Sequence, residues 1–182
     1  MTIISFQEVM SLIIMTFALG FIFSDILSRF RYKGEPLSFY NRKVIKDILF
    51  AAAIVAPAVI LHEFGHKFIA MAFGASAVFY ASLPGLAIGV LLRLIGFPFI
   101  IFVPGYVSIQ GNLTALQGAA VAFAGPAVNL ALGLIFMFLH KKNGKSIYHV
   151  ASYMNLFLFA FNMLPIPPFD GFKVLSGLFA AI

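Results

Sequence analysis

The sequence His62-Glu63-Phe64-Gly65-His66 lies within a long apolar stretch. On a helix, positions i and i+4 share one face about 6 Å apart along the axis, so His62 and His66 can converge on one metal ion beside Glu63. This spacing is typical of the helix that binds zinc in metal-dependent hydrolases. The alternative is two histidines that form ordinary hydrogen bonds in a helix bundle. Ionisable groups at membrane depth usually serve a function, which favours the metal.

The composition indicates an integral, multi-pass membrane protein. Hydrophobic residues make up 62% of the 182 residues and charged residues 10%, and the mean hydropathy is +1.04. The chain has room for about four spanning helices of roughly 20 residues each, which predicts one membrane-embedded domain over residues 1–182 without a separate soluble module. Because the chain has no cysteine, any metal must be held by nitrogen and oxygen ligands.

The net charge of +6 indicates membrane topology and not nucleic-acid binding. The basic residues fall in short polar segments between apolar runs, so we expect a lipid bilayer as partner and no nucleic acid. Nine of the twelve occupy two inter-helix segments: Arg29, Arg31, Lys33, Arg42, Lys43 and Lys46 in one, and Lys141, Lys142 and Lys145 in the other.

Apolar runs and breaks predict an all-α polytopic fold. We expect a first helix at residues 9–27, a zinc helix at 48–73, a third helix at 113–139, and a fourth helix with an Asp-Gly element at 150–182. The metal-binding motif would lie about 22 Å along its helix in a hydrocarbon core of roughly 30 Å. It is therefore buried, closer to the face opposite the first basic loop.

Residues 75–110 are apolar but rich in glycine and proline, and they also contain Arg93. Short β-prone pieces in this stretch predict a re-entrant or β-hairpin segment, which is tolerated at membrane depth where protein or water satisfies its backbone. The alternative is a fifth spanning helix over residues 86–103.

A catalytic zinc site typically has three protein ligands, so a third ligand must join the two histidines. Asp170 follows a proline-rich break after an apolar helix, and Gly171 frees the backbone to aim it. For Asp170 to reach the motif, the second and fourth helices must run in the same direction, which a re-entrant segment at 75–110 allows. The other candidates lie near the basic loops and are expected to be interfacial: Asp25, Asp47, His140 and His149.

The chain also resembles a known family, the site-2 proteases, which are intramembrane zinc metalloproteases. The resemblance covers roughly residues 49–177 and implies that Asp170 is the third zinc ligand. It also implies that Asn129 hydrogen-bonds an oxyanion or the substrate backbone; the alternative is an amide that bridges helices. The matching segments are His62-Glu63-Phe64-Gly65-His66, Gly125-Pro126 with Asn129, and the stretch from Asn162 to Asp170-Gly171.

Together these features predict a zinc endopeptidase that cleaves transmembrane segments of other membrane proteins, with a zinc-activated water and Glu63 as general base. The substrate must unwind, and it could pair with a free edge of the hairpin. The short chain resembles compact archaeal or bacterial members, which implies a prokaryotic cell membrane. The basic loops would face the cytoplasm by the positive-inside rule, whereas the resemblance implies that the zinc end does. The alternatives are a zinc transporter or scaffold, or an inactive protease homologue.

Overall fold

The computed structural model of this protein describes residues 3–31, 44–97 and 103–182. Most of the predicted first basic loop, residues 32–43, and part of the predicted hairpin, residues 98–102, lie outside the described residues. The elements in chain order are α1 (Phe6–Arg31), α2 (Val44–Ala72), β1 (Ser76–Ala81), α3 (Leu83–Leu94), β2 (Gly105–Gln110), α4 (Ala115–Asn143), α5 (Ser146–Asn162) and α6 (Asp170–Phe179).

Three helices of the described chain are long and apolar enough to cross a membrane: residues Phe6–Ser28 of α1, all of α2 and all of α4. The 29 residues of α2 and of α4 each extend about 44 Å, which exceeds a hydrocarbon core of about 30 Å. The fourth predicted span corresponds to α5, which has 17 residues and is shorter than these three. The architecture agrees with the all-α polytopic membrane fold expected from the composition.

The segment between α2 and α4 forms a small sheet with a helix inserted between its strands. Strands β1 and β2 form a two-stranded antiparallel sheet, so β2 runs beside β1 in the opposite direction. Helix α3 has 12 residues and extends about 18 Å, which is too short to cross the bilayer. It is followed by Gly96 at a φ of 69°, a left-handed turn. The described residues therefore show the hairpin form and no fifth spanning helix.

Clear start and stop signals delimit α4. Thr114 and Gln117 form a capping box, in which each side chain accepts a hydrogen bond from the other residue's backbone N–H. The helix ends at Asn143 and is capped by Gly144, whose φ of 67° is a left-handed conformation that glycine adopts readily because it has no Cβ. Lys141 and Lys142 in the last turn complement the helix dipole. These signals set the register of the longest helix that faces the metal-binding motif.

The described chain divides into two compact units, and the divisions fall within α2, β1 and β2 and before α1. The first unit contains Ala58–Phe79 and Val107–Ile182, with Ile3 from the N-terminus. Within it, α4 packs against both α5 and α6. Two glycines allow this close packing: a Cβ at Gly133 would lie 2.6 Å from Leu156 Cδ2, and one at Gly177 would lie 2.7 Å from the Ala115 carbonyl oxygen.

The second unit contains Ile4–Pro57 and Tyr80–Tyr106, in which α1 contacts α3. Arg93, the charged residue of the apolar α3, is paired within this unit. Its Nη2 atom lies 3.3 Å from Asp25 Oδ2, and its guanidinium group lies 3.8 Å from the ring centre of Phe21. The ion pair and the aromatic ring compensate for placing this cation in an apolar segment.

Candidate metal centre

His62 and His66 lie on one face of α2 because they are four residues apart, just over one turn of an α-helix. Their Nε2 atoms are 3.1 Å apart and their rings meet nearly edge to face, with an interplanar angle of 83°. Both side chains are buried. The helix thus presents two imidazole nitrogens at one point inside an apolar segment.

Asp170 reaches the same point from α6, 108 residues further along the chain than His62. Its Oδ2 atom lies 3.2 Å from Nε2 of both His62 and His66. The chain folds back tightly before α6. The backbone at Gly171 lies so close to Met163 that a Cβ there would overlap the carbonyl group of Met163. The structure therefore brings together the three residues that were predicted from the sequence to bind a metal, and all three are buried.

The far sides of both imidazoles are held by hydrogen-bond acceptors on α4. His66 Nδ1 lies 2.7 Å from the carbonyl oxygen of Val121, and His62 Nδ1 lies 2.6 Å from Oδ1 of Asn129. A carbonyl oxygen can only accept, so each Nδ1 must carry the proton. In a neutral imidazole this leaves an Nε2 lone pair, directed toward Asp170.

The geometry of these three atoms fits a zinc ion. Two lone pairs and a carboxylate oxygen within 3.2 Å of one another require positive charge between them, from protons on the imidazoles or from a metal ion. Tetrahedral Zn²⁺ with ligand bonds of about 2.0–2.1 Å separates its ligand atoms by roughly 3.3 Å, close to the observed spacing. Two imidazoles and one carboxylate are also a common donor set of catalytic zinc. These residues can therefore hold the metal.

Gly125 on α4 leaves the space that the two imidazoles occupy. A Cβ at this position would overlap His66 Nε2 and would lie 2.8 Å from His62 Nε2. Because Val121, Gly125 and Asn129 are spaced by four residues, they lie on one face of α4. That face supplies one acceptor for each histidine and a gap between them.

The second carboxylate oxygen of Asp170 is held by Lys173, whose Nζ donates to Oδ1 over 3.0 Å. Burial alone would raise the pKa of Asp170, but without a metal ion protons on the Nε2 atoms of His62 and His66, together with the Lys173 ammonium group, hold this pKa well below its ordinary range. Asp170 is therefore ionised, which is the form that binds a cation. Lys173 itself is largely exposed.

Glu63 is buried beside the three donor residues but is not a member of the converging group. It follows His62 on α2, so its side chain leaves the helix about 100° away from that of His62. A carboxylate next to a metal site but outside its ligand set is available to accept a proton.

Asn129 is fully buried, and its amide is occupied by protein partners. Besides accepting from His62, it donates through Nδ2 to the Ala58 carbonyl oxygen and to Oδ1 of Asn155, each over 3.0 Å. These contacts match the alternative role, an amide that bridges helices, because both amide hydrogens already have acceptors inside the protein. The expected contact with an oxyanion or a substrate would have to displace one of them.

Asn155 was missed at the sequence level, although an amide in an apolar helix is a recognisable signal for a polar contact between helices. It is 1% exposed and lies on α5. Asn162, which begins one of the segments that resemble site-2 proteases, donates to the carbonyl oxygen of Leu158 within its own helix.

The remaining candidates are not members of the three-residue donor group among the described residues. The rings of His140 and His149 are 4.8 Å apart where α4 and α5 adjoin, beside the basic residues of that turn. Asp25 pairs with Arg93, and Asp47 lies in the first turn of α2. None of the four belongs to the group that could hold a metal ion in the described part of the chain.

Sequence relatives of this protein carry the name of metal-dependent proteases. Putative zinc metalloprotease MJ0611 of Methanocaldococcus jannaschii is 36% identical in an alignment of 177 residues that covers 93% of this chain and 84% of the relative. Zinc metalloprotease MJ0392 of the same organism is 26% identical, with 78% and 37% covered, respectively. Putative zinc metalloprotease Rip2 of Mycolicibacterium smegmatis is 32% identical, with 64% and 52% covered.

No family model and no solved structure matches the chain. The alignment with MJ0611 nevertheless extends over most of both proteins. The chain therefore belongs to the family of proteins named as zinc metalloproteases that MJ0611 represents.

Proposed function

We propose that this protein is an intramembrane zinc endopeptidase of the site-2 protease type, which cleaves transmembrane segments of other membrane proteins. One observation carries the proposal: His62 Nε2, His66 Nε2 and Asp170 Oδ2 converge within 3.2 Å beside the buried Glu63, and both histidines lie on a helix long and apolar enough to span a bilayer. The names of the sequence relatives support zinc and proteolysis.

In this proposal His62, His66 and Asp170 would hold zinc, and three protein ligands are the number typical of a catalytic zinc site. Bound zinc would supply Lewis acidity, which makes water acidic near neutral pH and polarises a peptide carbonyl. Asn129 and the Val121 carbonyl keep both imidazoles in the tautomer that binds a metal. Lys173 keeps one oxygen of Asp170 occupied, so that the other oxygen faces the histidines.

Glu63 is the proton carrier. Its carboxylate accepts a proton from the attacking water and delivers it to the amine that leaves when the peptide bond breaks. Burial suits this role, because few other groups can relay protons in an apolar segment. No such carboxylate outside the ligand set is needed by a zinc transporter or a zinc-stabilised scaffold.

The substrate class follows from the location of the metal-binding residues. A peptide bond within a membrane helix is shielded by the helical hydrogen bonds, so the substrate must be locally extended before cleavage. An extended peptide can add to the edge of a sheet, and the two-stranded β1–β2 sheet offers such an edge. We propose that the partner is a transmembrane protein in a prokaryotic cell membrane.

A comparison of the wild type with Glu63→Gln tests this function. Both proteins are purified in detergent, their zinc content is measured, and they are incubated with a transmembrane peptide. We expect the variant to keep its zinc while cleavage falls by about a hundred- to ten-thousand-fold, the usual contribution of a general base.

Near-normal cleavage by Glu63→Gln would rule out this mechanism, and joint loss of zinc would make Glu63 part of the metal site. A wild type that binds zinc but cleaves no transmembrane peptide would instead favour a transporter or scaffold.

A further inference from the structure

Asn155 on α5 is buried and polar, yet it contacts neither the three donor residues nor Glu63 in the hydrogen bonds described above. Its hydrogen bonds lead instead to Asn129, the residue that holds His62. We infer that Asn155 is a positioning residue, which acts through Asn129 to set the tautomer and orientation of His62. The inference rests on the proposed function, in which the Nε2 lone pair of His62 binds zinc.

The direction of this hydrogen-bond chain is set at its first end by a backbone carbonyl. Asn155 Nδ2 donates to the carbonyl oxygen of Ala151 over 2.8 Å. Because a carbonyl oxygen cannot donate, this contact fixes which end of the Asn155 amide is nitrogen. The Oδ1 atom of Asn155 is therefore turned toward Asn129, from which it accepts over 3.0 Å.

A second carbonyl supports the same orientation of Asn129. The other hydrogen of Asn129 Nδ2 is donated to the Ala58 carbonyl oxygen, also over 3.0 Å. With both hydrogens used, Asn129 must present its oxygen to His62 Nδ1, 2.6 Å away. His62 Nδ1 must then be the protonated nitrogen, and its Nε2 lone pair points toward His66 and Asp170.

Loss of Asn155 would remove one of the two contacts that prevent the Asn129 amide from turning over. A turned amide would direct Nδ2 at His62 Nδ1 and favour the tautomer protonated at Nε2, which cannot bind a metal. Since the Ala58 carbonyl remains, the bias is weakened and not abolished. We expect zinc affinity to fall about three- to tenfold, as the loss of one buried hydrogen bond would produce.

Ser152 provides a matched control on the same helix. It is also buried, and its hydroxyl donates to the Gly133 carbonyl oxygen over 2.8 Å, so it too links α5 to α4. The hydrogen bonds described for Ser152 do not lead to His62. If the variants only loosen the packing of α4 against α5, zinc affinity should therefore also fall in Ser152→Ala. If the effect depends on the hydrogen bonds that lead from Asn155 to His62, zinc affinity should be unchanged in Ser152→Ala.

The experiment is a double-mutant cycle on zinc affinity, measured by competition with a chromophoric chelator in detergent. The proteins are wild type, Asn155→Ala, Asn129→Ala, the double variant and Ser152→Ala. Asn129→Ala should lose about ten- to a hundredfold, as direct partners of metal-ligating histidines do. If Asn155 acts through Asn129, Asn155→Ala has no further effect once Asn129 is alanine.

The tautomer of His62 gives a second measurement that needs neither zinc nor activity. Nitrogen-15 NMR of metal-free protein labelled at histidine, recorded at a pH at which the spectrum itself shows a neutral His62, should show Nδ1–H in the wild type and in Ser152→Ala. Asn155→Ala should show an increased Nε2–H population. If that variant does not fold, Asn155→Leu, which fills the space, replaces it in both measurements.

Equal effects of Asn155→Ala in both Asn129 backgrounds would overturn the inference, as would wild-type affinity with an unchanged tautomer or an equal loss in Ser152→Ala. A wild type that binds no zinc would refute the proposed function instead, and the tautomer would still decide the role of Asn155.

Discussion

Replacing Gly125 by alanine tests how closely α4 approaches the two histidines. The substitution adds one methyl group on the face of α4 that meets His62 and His66. In a helix interior, glycine to alanine normally stabilises a protein by about 0.5–1 kcal/mol. At Gly125 we expect the opposite effect on metal binding, because the methyl group requires space that the imidazoles occupy.

The magnitude follows from the distances. The added Cβ would lie 2.8 Å from His62 Nε2 and would overlap His66 Nε2, whereas ordinary contacts between such atoms are about 3.5–4.0 Å. At least one ring must therefore move by roughly 0.7 Å or more. Metal-binding constellations tolerate about 0.5 Å, so we expect a loss of zinc affinity of at least about 100-fold, or about 2.8 kcal/mol.

Gly118→Ala is the control, since Gly118 lies on the same helix and its added Cβ would meet nothing within 4 Å. Zinc affinity is measured for both variants by chelator competition, and thermal unfolding reports stability. We expect Gly118→Ala to bind zinc like the wild type. If Gly125→Ala also binds zinc like the wild type, the close approach of α4 to the histidines is refuted.

Two further predictions concern the third ligand and the topology. Asp170→Ala should lower zinc content and cleavage together, because a three-ligand site loses much of its affinity with each ligand; unchanged zinc stoichiometry would remove Asp170 from the site. The chain has no cysteine, so single cysteines can report topology. Cysteines replacing Asn112 and Asn143, which flank and end α4, should react with an impermeant reagent from opposite sides, and a cysteine at Ser38 should react on the side of Asn143. Labelling of positions 38 and 143 from opposite sides would contradict the predicted topology.

The conflict between the charge pattern and the family resemblance over which face is cytoplasmic can be resolved by the same reagents. In intact cells, labelling of position 143 from outside would place the basic turn between α4 and α5 outside. That result would favour the orientation implied by the site-2 protease resemblance. Protection of position 143 would favour the positive-inside rule.

Local patterns in the sequence were sufficient for much of this protein. Helical periodicity alone put His62 and His66 on one face, because residues four apart are neighbours in any α-helix. Apolar length identified the helices that could span a membrane, since the bilayer thickness sets that length. Proline and glycine residues indicated that 75–110 does not form a spanning helix. The proline-rich break before Asp170 indicated a carboxylate that does not lie in a solvated polar loop.

Contacts between distant segments were decided only by the tertiary structure. The 12-residue helix between β1 and β2 and the shortness of α5 depend on where chain breaks occur within uniformly apolar sequence, where periodicity is weak. The partners of Asn129 were not predictable for a similar reason, because Ala58 and Asn155 are 71 and 26 residues away. The sequence shows that an amide lies in an apolar helix, but it does not show which acceptors that amide hydrogen-bonds. Hydrogen-bond direction between helices is a property of their packing, and packing depends on side chains from the whole chain.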